Sequence, residues 1–215
     1  MRQANALGLL RPAVALTAAT AGFVLLMLPA RRALRGRGPM ALDGIVQLDD
    51  AVAACRRSGL DGWDLVAYAQ RLVYRKFTFY SCRNPWDTPA AAFRRGMGYC
   101  TQYNLALKQI LDQLGFDARA VFSLRVRVAE DPAWAMGHTW LRVRVPTGGE
   151  TRDVCAGHAD NLPGKVNFAP LAPVLPGNDL VLALTHLGMI GFCGFLEWRA
   201  LLTGQPLPGW MFEER

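Results

Sequence analysis

The sequence predicts a mixed fold in which helices come first and strands follow, because the spacing of apolar residues changes in mid-chain. Leu107, Ile110, Leu111 and Leu114 recur at helical spacing, and Gly115 ends that segment. Immediately afterwards, "VFSLRVRV" and then "HTWLRVRV" alternate apolar and polar residues, which is typical of strands with one buried face.

Helix signals also precede this segment. A short helix is expected to begin at Asp49 or Asp50, and a longer one opens at Asp61 with apolar residues at helical spacing. Thr88 and Pro89 form an N-cap followed by proline at the first helical position. We therefore expect "AAAFRR" to be a third helix, stopped by two glycines.

The turn "PTGGE" joins the strand "HTWLRVRV" to a returning strand, "TRDVCA", and two registers are open. A loop centred on Val145–Pro146 sets His138 directly opposite Asp153. A loop centred nearer Gly148, which the alternation suggests, moves Asp153 several residues away. We favour the first register because "PTGGE" can hold a bulge.

Residues 12–30 carry no charge and are about long enough to cross a bilayer, which takes ~20 apolar residues. Four arginines follow within 31–37, and they disfavour both cleavage and translocation. We expect a retained membrane anchor, with the cytoplasmic side slightly favoured over the periplasmic or extracellular side. A second apolar run, 180–196, leaves three possibilities open: a membrane helix, a buried helix or a helix lying on the membrane.

These boundaries predict three parts. They are a membrane anchor with an Arg-rich linker over 1–40, a core domain over 41–176, and an apolar helix and tail over 177–215.

Composition excludes some classes of function. With 52% apolar and 19% charged residues, the chain is not of a disordered type. The net charge of +7 comes mostly from scattered arginines, and no nucleic-acid-binding motif accompanies it, so we expect no nucleic-acid partner. The five cysteines show no C-x-x-C pair, and their odd number leaves at least one thiol free.

One of those thiols, Cys100, falls in the first turn of the long helix, after glycines at 96 and 98. A helix N-terminus stabilises a thiolate, and its N–H groups can hold the oxyanion of a tetrahedral intermediate. A thiol catalyst also needs a base, and the base needs an orienting partner. His138 begins a strand, whereas His158 follows a glycine in a loop and His186 lies in an apolar run.

The motifs "GYC" at the head of a helix, "LGFDARAV" after it, "GHTWLRV" and a strand ending in aspartate resemble the transglutaminase-like superfamily. The resemblance spans about 88–157. It implies a papain-like α+β fold, with the nucleophile helix packed on a small antiparallel sheet. It also implies that Cys100 is the nucleophile, His138 the general base and Asp153 the orienting acid. The sequence departs from the family where "DVCAG" replaces the usual aspartate-proline-threonine ending.

The expected function is therefore acyl transfer from a peptide, protein or small amide substrate, with hydrolysis the simplest outcome and no cofactor or metal. Trp86 and Gln102 are candidates for oxyanion support, and Tyr99 and Trp140 for the substrate cleft. Three alternatives stay open. They are an arylamine N-acetyltransferase-like enzyme, a zinc site that adds Cys155-x-x-His158 to Cys100 and His138, and a non-catalytic membrane-anchored scaffold.

Overall fold

The structure, a computed structural model, describes Gly22, Leu25 and residues 38–129, 135–146 and 148–214. The predicted N-terminal anchor, 12–30, therefore lies outside the described residues apart from Gly22 and Leu25, which are both helical. The helices are α1 (Leu48–Arg57), α2 (Gly62–Lys76), α3 (Pro89–Arg95), α4 (Cys100–Gln113) and α5 (Asp179–Thr203). The strands are β1 (Phe79–Ser81), β2 (Met97–Gly98), β3 (Asp117–Val128), β4 (Ala135–Arg144), β5 (Arg152–Val154), β6 (Phe168–Pro170), β7 (Val174–Pro176) and β8 (Phe212–Glu214).

The predicted helices form where capping chemistry allows them to begin. Asp50 sits at the third position of α1 and accepts backbone hydrogen bonds from Val46 and Gln47. The side chain of Thr88 accepts from Ala91 N at 3.2 Å and caps α3. Gly96 then ends α3 in the left-handed conformation, at φ +70°, which glycine adopts without strain.

The strands form two sheets, so the mixed α+β class is confirmed. One sheet has the order β5-β4-β3-β6, and β7 also pairs with β3. The other has the order β2-β1-β8, with β1 parallel to β2 and antiparallel to β8. The last strand of the chain is therefore hydrogen-bonded to β1 near the beginning of the domain.

Helix α4 is the centre of the core. It contacts α1, α2 and α3 as well as β3 and β4. Leu107, Ile110 and Leu111, which define its apolar face in the sequence, are fully buried. Because α4 is held on so many sides, the position of its first residue, Cys100, is fixed by the core.

Among the described residues, one helix is long and apolar enough to cross a membrane, and it is α5. Only 22% of its most apolar window is buried. The same length and composition occur in core helices of soluble proteins, so these properties alone do not establish a crossing.

Candidate active site

A cleft of about 310 Å³ brings two thiols and two imidazoles together: Cys100, His138, Cys155 and His158. Tyr80, Tyr103 and Phe168 supply aromatic surface, and Glu213 and Glu214 of β8 also line it. A larger hollow of about 1070 Å³ contains Arg142 and Asp153 but no thiol or imidazole. The smaller cleft is therefore the one with nucleophilic and basic groups.

The start of α4 is shaped by a single side chain, Gln102. Its Oε1 accepts a hydrogen bond from Tyr99 N at 3.2 Å, and its Nε2 donates to the carbonyls of Asn84 and Asp87, both at 2.8 Å. A Cβ atom on Gly98 would lie 2.7 Å from the same Oε1, so a larger residue there would displace the Gln102 amide from these hydrogen bonds. These contacts fix the turn that presents Cys100.

The Cys100 thiol is only 4% exposed, and its burial raises its pKa to about 11. A backbone hydrogen bond from Thr139 and contacts with Thr101 lower the pKa by less. Desolvation is the largest of these influences, so the pKa of this thiol is raised although Cys100 stands at a helix N-terminus. At neutral pH Cys100 carries its proton.

His138 lies on β4 at the wall of the same cleft and is 8% exposed. Its ring stacks on Trp140, with centroids 6.2 Å apart, and meets the edge of Phe168 at 4.6 Å. Its Nε2 lies 3.3 Å from the Sγ atom of Cys155. Aromatic packing and this contact together restrict the orientation of the imidazole.

Asp153 does not face His138. It pairs with Arg142 in the β4–β5 ladder. Arg142 lies four residues beyond His138 on β4, a distance of about 13 Å along the strand. The Asp153 carboxylate lies 3.3 Å from Arg142 Nε, and the side chain is 37% exposed. The favoured register is thus wrong and the alternative centred near Gly148 is confirmed, because Gly148 and Gly149 take the positive φ angles that the turn requires.

Cys155 occupies the place beside the imidazole that was expected for the carboxylate. Continuing the register brings Cys155 opposite Trp140, so that it is a diagonal neighbour of His138 on the same face. Sequence reasoning missed this role. The available signal was that Cys155 follows Asp153 by two residues and therefore shares its strand face.

Asn104, one turn after Cys100 on α4, holds Cys155 in place. Its Nδ2 donates to Thr139 O at 2.7 Å and lies 3.4 Å from Cys155 Sγ, while its Oδ1 accepts from Ala156 N at 3.0 Å. This buried amide connects α4 with both strands of the hairpin. One side chain thereby fixes the relative positions of the two thiols.

The four other candidate residues lie in different surroundings. Trp86 is 42% exposed, and it is not among the residues that line the cleft. Both polar ends of Gln102 hold the α4 turn, and the Tyr99 hydroxyl lies 2.6 Å from Nδ1 of His186. Trp140 is fully buried behind His138, and its Nε1 makes no hydrogen bond to the described residues. The oxyanion and substrate roles expected of these side chains are thus not apparent in their contacts.

The zinc alternative is not supported by the geometry. Within the described parts of the chain, no group of three or more His, Cys, Asp or Glu side chains is arranged to hold a metal ion. The Nδ1 atom of His158 accepts a hydrogen bond from Asp160 N at 3.2 Å.

No protein-family model matches the chain. No curated protein matches it either. Two solved structures are similar over about three fifths of the chain. A crystal structure of a transglutaminase (TGase) is 14% identical with a TM-score of 0.40, over 61% of this chain and 36% of that one. An M. smegmatis arylamine N-acetyltransferase is 19% identical with a TM-score of 0.32, over 62% of this chain and 47% of that one.

The first is a transglutaminase, the kind of protein that the sequence motifs resemble, and the second is the kind of enzyme that stayed open as an alternative. The chain spans less than half the length of either one. At these TM-scores the likeness bears on neither mechanism nor substrate.

Proposed function

We propose that the protein is a cysteine enzyme that cleaves or transfers an acyl group, with Cys100 as nucleophile and His138 as general base. One observation carries the proposal. The first residue of a buried helix and an oriented imidazole line the same small cleft. A thiol and a nearby base fixed by a third group form the general arrangement of nucleophilic catalysis.

The chemistry follows from the protonated state of the thiol. Cys100 transfers its proton to His138 as Sγ attacks the substrate carbonyl, because a thiol with a pKa of about 11 is not ionised beforehand. The new C–S bond gives a tetrahedral intermediate. Its collapse breaks the bond to the leaving group, which takes the proton from the imidazolium. Water, activated by the neutral imidazole, then hydrolyses the thioester.

The oxyanion is assigned to the backbone of α4. The side chains first considered for this role, Gln102 and Tyr99, are engaged elsewhere. The first-turn N–H groups of a helix point toward its N-terminal end, where Cys100 stands. The amides of Cys100 and Thr101 are the nearest such donors to the attacking sulfur.

We assign to Cys155 the role of orienting His138 that was expected of the Asp153 carboxylate. The carboxylate of Asp153 is paired with Arg142 in another hollow, whereas Cys155 Sγ contacts the His138 ring. A thiol gives weaker orientation than a carboxylate because it carries no charge in its neutral form. We therefore expect modest acylation rates.

The substrate class is a small acyl group or a side-chain or terminal amide of a peptide or protein. A cleft of about 310 Å³ is at the lower end of the range for ligand sites. Its aromatic walls suit an apolar acyl chain. Glu213 and Glu214 at its edge disfavour anionic substrates by charge repulsion.

We further propose that the protein is attached to a membrane through residues 12–30, with the catalytic domain on the cytoplasmic side. The charge-free run and the arginines that follow it support this assignment. Carbonate washing of membranes tests the attachment, and protease accessibility in intact cells tests the side. Release by carbonate would contradict the membrane attachment. Digestion of the domain from outside would contradict its cytoplasmic placement.

A hydrolysis screen tests the enzymatic assignment. Purified protein is offered a panel of fluorogenic amides, esters and thioesters, and Cys100→Ala and His138→Gln are expected to lose turnover on any substrate found. Cys55→Ala is the matched control, because Cys55 is equally buried and burial also raises its pKa to about 11, but it lies on α1 outside the cleft. Activity that survives in Cys100→Ala would refute the assignment.

A further inference from the structure

The long helix α5 has two different faces. Its inner face packs on the domain through Ile190, Cys193 and Leu196, which are buried. Its outer face carries large apolar side chains three or four residues apart, with one gap of eight residues where Gly191 falls on the same face. This outer stripe consists of Leu180, Leu184, Leu187, Phe195, Trp198 and Leu202, and all but Trp198 are more than 40% exposed.

A bilayer crossing by α5 is incompatible with the way its ends are attached. Before the helix, Gly177 N donates to Ala120 O of β3 at 2.8 Å. After it, Cys82 N donates to Met211 O, and β8 pairs with β1. Both ends of α5 are therefore bound to the same domain.

The lengths support the same conclusion. The 25 residues of α5 extend about 37 Å, more than the ~30 Å hydrocarbon core. Residues 204–211, which return the chain to β1, reach at most about 28 Å when extended. They could not recross the bilayer, and their backbone would be unpaired in lipid. The outer stripe must therefore be covered in another way.

A contact within the stripe identifies what covers it. The indole Nε1 of Trp198 donates a hydrogen bond to the backbone carbonyl of Leu25 at 2.8 Å. Leu25 is helical and belongs to the charge-free run 12–30. The occupant suggested by this contact is a segment of the chain itself, with the apolar character that the stripe requires.

We propose that the outer stripe of α5 is the docking surface for residues 12–30, the run to which Leu25 belongs. The membrane attachment proposed above then takes place beside α5 and not through an isolated crossing helix. Because the run carries no charge, it suits contact with α5 and with lipid at once.

Helix α5 lies between the docked segment and the turn that carries Cys100. On its inner side α5 carries His186, whose Nδ1 meets the hydroxyl of Tyr99, the residue that caps α4 before Cys100. The same helix therefore contacts both the N-terminal run and the active-site turn. This inference rests on the contacts of α5 and not on the acyl-transfer chemistry.

Photo-crosslinking in the full-length, membrane-bound protein tests the docking. The photoreactive residue p-benzoylphenylalanine replaces Leu184 in one variant and Phe195 in another, so that the test does not depend on the folding of a single variant. It replaces the exposed Leu60, between α1 and α2, as the control. Mixing separately expressed heavy- and light-isotope chains before reconstitution into membranes distinguishes cross-links within a chain from those between copies.

We expect most cross-linked peptides from Leu184 and Phe195 to join α5 to residues 12–30 of the same chain, with none from Leu60. Cross-links only to another copy would mean that the stripe is a dimer interface. Cross-links only to lipid would mean that it faces the membrane directly. Either result, or the absence of peptides from 12–30 at both positions, would overturn the proposal.

Discussion

The protonation of Cys100 can be tested without knowing the substrate, by measuring alkylation as a function of pH. Iodoacetamide reacts with the thiolate and not with the thiol. Burial raises the pKa of Cys100 to about 11, so the thiolate is a minor species throughout the neutral range. Raising the pH is the perturbation, and the rate constant for Cys100 is the readout.

The size of the effect follows from the pKa. At pH 7 a thiol with a pKa of about 11 is ionised to about 0.01%, whereas the unperturbed value of 9.0 gives about 1%. Alkylation of Cys100 should therefore be about 100-fold slower than that of an ordinary thiol. It should rise about tenfold for each pH unit between 7 and 10 and show no plateau in that range.

Peptide mass spectrometry after timed quenching gives the rate for each cysteine, and circular dichroism checks that the fold persists at each pH. Cys55 is the internal control, because burial raises its pKa to about 11 as well, although it does not line the cleft. Both residues should show the same slope, with Cys100 faster at every pH. A plateau for Cys100 beginning below pH 8 would refute the argument, because it would indicate a thiolate–imidazolium pair.

Three further predictions concern residues other than Cys100 and His138. Cys155→Ala should slow acylation about 3- to 10-fold, because a neutral hydrogen bond contributes about 0.5–1.5 kcal/mol. Asp153→Asn should change the acylation rate less than about twofold, and stopped-flow acylation measures both rates. Asn104→Ala should lower the free energy of unfolding by about 2–4 kcal/mol, because it orphans two backbone groups, as urea titration would measure. Burial lowers the pKa of Lys76 to about 8, so between about pH 8 and 10.5 the unfolded chain holds a proton that the folded chain has lost. Over that range, the stability of the wild type relative to Lys76→Met should rise by roughly 2–3 kcal/mol, and parallel denaturation series check this.

Each of these predictions has a result that contradicts it. Equal rates for Cys155→Ala and Asp153→Asn would remove Cys155 from its orienting role. An Asn104→Ala variant as stable as the exposed-site control Lys108→Ala would show that the buried amide is dispensable. A wild-type stability that falls with pH relative to Lys76→Met would show that the ammonium is stabilised on folding.

The helices were predictable because their signals are local. The cap at Thr88, the apolar stripe of α4 and the glycine that ends it each depend on residues within one or two turns. The same holds for the position of Cys100 at the start of α4. Sequence reasoning therefore located helix α4 and its first residue, Cys100.

The partner of His138 was not predictable in the same way, because it depends on a register. Moving the hairpin centre from Val145–Pro146 to Gly148 takes Asp153 about 13 Å from the imidazole and brings Cys155 beside it. The alternation of apolar residues already suggested the register centred near Gly148, and Gly148 and Gly149 take positive φ angles in the observed turn. The choice between the two registers still depends on packing across the whole sheet, which no short motif encodes.

The ionisation state of Cys100 was missed for a related reason. A helix N-terminus is visible in the sequence, and its effect on a thiol is well defined. Burial is a property of the assembled core, in which Tyr80 and Tyr99 come to interact with Cys100. The competition between dipole and desolvation therefore could not be judged before the fold was known.

Mapping an acyl-enzyme tests the central claim, that Cys100 attacks and His138 accepts its proton, most directly. The full-length protein is mixed with an activated thioester or ester donor and quenched in acid, and the adduct is located by intact mass and peptide mapping. We predict one acyl group per chain on Cys100, none in Cys100→Ala, and acylation slowed about 10²- to 10⁴-fold in His138→Gln. An acyl group on Cys155 instead, or a His138→Gln variant that acylates at the wild-type rate, would contradict the assignment.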